Sequence, residues 1–168
     1  MRDVIAELRE SSDLVIVDGA VDRVAALAGT RGGVIVAAGA ADAVTVAEAA
    51  LDAGALAARL GVPLFDAGEP SIPLEEALTE TLVGRFIAER EARQIVVNDP
   101  TQIALRGRAA AQAFARLRIR CRRPLRVVAA TVASIAPQRQ FEPVDFGRAV
   151  ADATRLPTFD VYRGVRAA

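Results

Sequence analysis

The sequence predicts an α/β fold: a mostly parallel, doubly wound, Rossmann-like sheet of about five to six strands, flanked by helices, in a single domain. Three observations predict it. Leu14-Val15-Ile16-Val17, Val34-Ile35-Val36-Ala37-Ala38 and Ile95-Val96-Val97 are apolar runs without alternation, the pattern of strands buried on both faces by helices. Each run closes on small or polar residues, Asp18-Gly19, Gly39-Ala40 and Asn98-Asp99, and strands of open α/β sheets present their ligand edge at that end. Between the runs, apolar residues recur at helical spacing. A chain of 168 residues can bury roughly 70% of its unfolded surface in such a domain.

The elements follow in order. Val4, Ile5 and Leu8 have helical spacing over residues 1–11, and Ser11-Ser12-Asp13 ends that helix and introduces a strand over 13–20. A doubly wound domain commonly begins with a strand, so a helix feeding straight into a buried strand points to a further unit, N-terminal to it or on a partner chain. The turn Gly29-Thr30-Arg31-Gly32-Gly33 leads to a second strand over 34–38, parallel to the first. Residues 42–60 read as an amphipathic helix, with Thr45, Glu48, Asp52 and Arg59 outward and Val44, Leu51, Leu56 and Leu60 inward. Gly61 stops it and Val62-Pro63 redirects the chain. Gly68, Pro70 and Pro73 make 66–73 a loop and a boundary between two lobes.

Leu74, Leu78, Leu82 and Phe86 recur every four residues and predict a helix over 73–92, with Arg85 and Glu89 paired on its outer face. The strand 94–97 ends at Asn98-Asp99-Pro100-Thr101, where Asp99 suits a helix cap and Pro100 its first position; capping and ligand binding are both open to these residues. A helix follows Gly107 with Ala110, Ala113, Phe114 and Leu117 on its apolar stripe. From 116 to 123 arginines alternate with Leu117, Ile119 and Cys121, the period of a half-buried strand with guanidinium groups on one face. Residues 125–135 form a central strand, Pro143 opens the last helix, and 158–162 close as a short strand.

Composition narrows the chemistry. Histidine, lysine and tryptophan are absent, which removes the usual neutral-pH base, the Schiff-base nucleophile and the lysine of a phosphate loop. Cys121 is the only cysteine, so no intramolecular disulfide forms, and with no leader or apolar run of membrane-spanning length the expectation is a cytoplasmic protein. Residues 1–100 carry a net charge of −9 and residues 101–168 carry +9. A chain so polarised can pair with itself or offer a basic face to an anion. Arginine in place of every lysine, beside abundant alanine, also has a plain explanation in a GC-rich genome. No aromatics interleave with the 116–123 arginines, which argues against a single-stranded nucleic-acid groove, and no membrane role is indicated.

Asp18 and Asp22, at and just beyond a strand end, are placed to hold a hydrated magnesium ion and phosphate oxygens through it. Asp18 and Gly19 are equally ordinary turn residues. Gly29, Gly32 and Gly33 precede a strand and do not make a dinucleotide fingerprint. Cys121 lies among arginines that would lower a thiol's pKa, yet its place on the apolar face of a strand is that of a core residue.

Taken in order, Val15-Ile16-Val17-Asp18-Gly19-Ala20-Val21-Asp22-Arg23, Ala38-Gly39-Ala40, Ala77-Leu78-Thr79-Glu80, Val97-Asn98-Asp99-Pro100-Thr101 and Pro157-Thr158-Phe159-Asp160-Val161 resemble motifs of the reactivase subunit family of lysine 5,6-aminomutase, specifically its C-terminal half. Members of that family restore an adenosylcobalamin- and pyridoxal-phosphate-dependent aminomutase of lysine degradation after cofactor inactivation, using ATP. The resemblance implies a chaperone-type accessory role, an aminomutase or N-terminal subunit as partner, and ATP with magnesium as a noncovalent cofactor. It implies nucleotide-binding positions at Asp18, Gly19, Asp22, Arg23, Gly39, Thr79, Asn98, Asp99 and Thr101, with Asp18 and Asp22 at the metal, and no catalytic residue of its own. The family's N-terminal half, with glycine-rich segments, is expected to complete the nucleotide site. Ala38 stands where the family has Thr, and Val132-Ala133-Ser134 where it has Val-Asn-Pro. Two other readings remain open: a non-catalytic α/β module that binds a nucleotide or a partner, and a magnesium-dependent enzyme working through Asp18 and Asp22.

Overall fold

The computed structural model describes residues 2–16, 27–29, 32–162 and 166–167. The first helix, α1, spans Arg2–Ser11, and its apolar stripe is uncovered, with Val4 and Leu8 about half exposed. Residues 13–16 do not form the expected buried strand. Among the described residues they pair with no strand, and Leu14 and Ile16 are 75% and 82% exposed. An unbroken apolar run is suited to burial but does not supply the neighbours that bury it. The rest of that run, 17–20, lies outside the described residues.

The elements that follow are β1 (Gly33–Gly39), α2 (Val46–Leu60), β2 (Ser71–Pro73), α3 (Glu80–Ala88), β3 (Gln94–Val97), a 3-10 turn (Pro100–Gln102) and α4 (Gly107–Arg116). They continue as β4 (Ile119–Cys121), β5 (Arg126–Ala133), β6 (Ile135–Ala136), β7 (Arg139–Gln140), α5 (Pro143–Thr154), β8 (Thr158–Asp160) and β9 (Arg166–Ala167). The fold is α/β and mostly parallel, with helices against the sheets. Its strands divide between two sheets, one ordered β1-β5-β8-β9 and the other β2-β3-β4, plus the β6-β7 hairpin. All pairings of the first sheet are parallel except that of β9 with β8, and both pairings of the second are parallel. β5 is central, as its valine-rich composition predicts.

Each sheet has its own core. Val36, Ala130, Val132, Phe146 and Val150 fill the first, and Leu78, Phe86, Ile95, Val97, Ile103 and Ile119 fill the second. Helix α2 is the shared wall, turning Ala49, Ala50, Ala53 and Ala57 to the first core and Ala55 to the second. Its inward face is therefore the alanine face. Of the residues expected to face inward, Leu60 is buried and Leu56 packs partly against the first core, whereas Leu51 is exposed, as is Val44, which precedes the helix. A Cβ on Gly54 would lie 2.9 Å from the Ala153 carbonyl oxygen, so α2 and α5 meet where only glycine fits.

The helix expected over 73–92 begins at Glu80 and ends at Ala88. The leucines that suggested its first turns belong to an extended segment. Leu74 N donates to Val96 O at 2.8 Å, and Leu78 pairs with Ile103 in a parallel bridge. A spacing of four satisfies strand alternation as well as helical period, and here the strand-like alternative prevails. Arg90, with φ of 52°, turns the chain out of the helix, and Arg85 lies over the Phe86 ring at 5.3 Å rather than beside Glu89. Among the described residues no helix is long and apolar enough to cross a membrane.

Candidate functional site

β2, β3 and β4 are parallel, so their carboxyl ends share one edge of the second sheet. The chain leaves β3 at Asn98, and Asp99 caps the turn that follows, with Pro100 at its first position. Asp99 Oδ1 accepts from the Thr101 backbone N–H at 3.1 Å and from the Thr101 hydroxyl at 2.5 Å, while Oδ2 accepts from Arg123 Nη2 at 2.7 Å. Asp99 is buried, so both oxygens are held where water hardly reaches. Capping and ion pairing together thus occupy this carboxylate.

Gln102 closes the edge. Its side-chain oxygen accepts from the Asn98 backbone N–H at 2.7 Å, and its amide nitrogen donates to the carbonyls of Leu74 at 3.0 Å and Glu76 at 2.6 Å. One side chain thereby ties the loop after β3 to the loop after β2. From the third strand, Arg122 N donates to Val97 O at 3.0 Å, and its guanidinium lies over the Phe65 ring at 5.4 Å. These loops enclose a cleft of about 520 Å³ lined by Pro73, Leu74, Glu75, Asn98, Asp99, Thr101, Gln102 and Arg122. That volume lies within the range of small-molecule sites, about 300–1,000 Å³, and the position is where open α/β sheets bind ligands.

The expected site residues divide. Asn98, Asp99 and Thr101 come together in this cleft. Thr79 does not join them: its hydroxyl accepts from the Leu82 backbone N–H at 3.5 Å and caps α3. Gly39 ends β1 on the other sheet and lines a separate cavity of about 100 Å³ with Asp42. A Cβ on Gly39 would sit 2.8 Å from Asp42 Oδ2, so the absence of a side chain there lets the carboxylate fold over the strand end. Asp18, Gly19, Asp22 and Arg23, including the proposed metal pair, lie outside the described residues. Gln102 and Arg122 also line the cleft, beyond the residues expected there. Their only signal was their place in the loops that follow two strands.

The cleft offers an anion one guanidinium, from Arg122, with Asn98 beside it, and those groups fit a phosphate-bearing ligand, whereas the Glu75 carboxylate in the same lining opposes one. They fit a metal less well. Among the described residues no group of three or more His, Cys, Asp or Glu side chains converges as metal ligands, and Asp99 has both oxygens engaged. Cys121, behind the cleft, is fully buried with Sγ 3.2 Å from the Val62 carbonyl oxygen. Burial, and after it the charge of Asp99, pushes its thiol up to about 11, the reverse of an activated nucleophile. Comparison of the chain with protein-family models, with curated proteins and with solved structures finds no match.

Proposed function

We propose that the chain is a nucleotide-binding accessory module of the reactivase type, working with an N-terminal partner unit on a cobalamin-dependent lysine aminomutase. The observation that carries the nucleotide part is the polar cleft at the carboxyl edge of β2-β3-β4, with Arg122 as its cationic group. The motif resemblance described above supplies the partner. ATP turnover belongs to the assembly in this reading, since Asp99 is held by Thr101 and Arg123 and is not placed to activate water.

Calorimetric titration of the chain with ATP and ADP, with and without magnesium, tests the reading. Arg122→Gln should weaken nucleotide binding by about tenfold or more, the loss of a charge-assisted hydrogen bond. Co-purification with the aminomutase, and ATP hydrolysis that appears only when the partners are combined, test the second half. Brisk hydrolysis by the isolated chain, or a wild type that binds no nucleotide, refutes the proposal. The engagement of Asp99 also favours a second reading, a non-catalytic module that binds a partner alone; aminomutase binding without any nucleotide binding would establish it.

A further inference from the structure

Between α2 and the segment entering α4 lies a second cavity, of about 290 Å³, with Ala55, Leu56 and Leu105 as its apolar wall and Arg59, Arg106 and Asp52 as its charged groups. Arg59 is half-buried, and its Nε–H is hidden from water and makes no hydrogen bond. Its guanidinium is held below the usual arginine range, first by burial and then by the charge of Arg106. Neither arginine is ion-paired among the described residues. Asp52 does not answer them. Its carboxylate lies against the entry of α4, with Oδ1 3.1 Å from where a Cβ on Gly107 would be.

Two guanidinium charges lining one cavity repel each other, and among the described residues no carboxylate is ion-paired with either. An oxyanion between them removes that repulsion. We infer that this cavity is an oxyanion site in which Arg59 and Arg106 together grip the phosphate of a small phosphomonoester. Such a group carries about −1.5 to −2 charges at neutral pH and matches two guanidinium forks, whereas a carboxylate brings one charge. The cavity lies at the lower end of small-ligand volumes, about 300–1,000 Å³, which suits a phosphate with a short carbon skeleton against Leu56 and Leu105. The site is separate from the β3 cleft and independent of the nucleotide reading.

The probes are inorganic phosphate, glycerol 3-phosphate and acetate, followed by calorimetry and by the Arg59 Nε–H resonance of the wild-type chain. Glycerol 3-phosphate should bind more tightly than inorganic phosphate, acetate hardly at all, and the Arg59 signal should move on binding. Arg59→Gln and Arg106→Gln should each weaken phosphate binding by about tenfold or more, while Arg122→Gln leaves it unchanged. Without ligand, Arg106→Gln should melt no lower than wild type in low salt, since it relieves a repulsion. An Arg59 resonance unmoved by saturating phosphate, or a phosphate affinity in either arginine variant equal to that of wild type, overturns the site. A monoester that binds no tighter than inorganic phosphate overturns the ligand assignment.

Discussion

Replacing Asp99 tests how the candidate cleft is held together. Asp99→Ala removes the cap of the Pro100–Gln102 turn, where Oδ1 accepts from Thr101, and this costs about 1 kcal/mol. It also removes the Arg123 ion pair. A hydrogen bond to a charged partner contributes about 1.5–3 kcal/mol when buried. The Arg123 side chain is 38% exposed, so solvent screening reduces its share to about 1 kcal/mol. The sum is about 2 kcal/mol. In a chain of 168 residues each kcal/mol shifts the melting temperature by about 2–4 °C, so Asp99→Ala should melt about 4–8 °C below wild type. Asp99→Asn retains a capping oxygen and should lose only about half as much. Thermal unfolding of Asp99→Ala, Arg123→Ala and the double variant completes a cycle with a coupling of about 1 kcal/mol. An Asp99→Ala melt within about 1 °C of wild type refutes the reasoning, as does a cycle without coupling.

The helix contacts make a paired prediction. Gly54→Ala should destabilise by about 1–3 kcal/mol, since its Cβ would press on Ala153, whereas Gly84→Ala on α3 meets nothing within 4 Å and should stabilise by up to about 1 kcal/mol; urea unfolding of the two variants decides both. Cys121 should resist alkylation at pH 8 in the folded chain and react once denaturant opens the second core. Its folded pKa, about 11, lies above its ordinary value of 9.0, so the folded state holds the proton more tightly. That contribution to stability is complete below pH 9 and is lost as the pH rises towards 11; Cys121→Ala should flatten this part of the stability profile.

Sequence alone determined the features whose causes are local. Gly61 ends α2, Asp99 and Pro100 start the turn after β3, and Pro143 opens α5, whereas Thr45, expected within α2, caps it instead. β1, β3 and β5 are legible because branched apolar runs have few other stable environments. Asn98, Asp99 and Thr101 were legible as a cluster for the same reason, being close in sequence at a strand end. Only the tertiary structure decided that alanines around Gly54, rather than Leu51, fill the contact of α2 with α5, because the close approach at Gly54 selects small residues over large ones. It also made Leu74 and Leu78 extended, through partners on β3 and the Ile103 segment.

The cleft depends on such distant partners. Gln102 reaches Leu74 across 28 residues, and Arg123 reaches Asp99 across 24. The placing of Arg59 and Arg106 on one cavity is equally unreadable from either neighbourhood. Hydrogen bonding within a turn is set by neighbouring residues, whereas these contacts exist only after two sheets and a shared helix have fixed their separations.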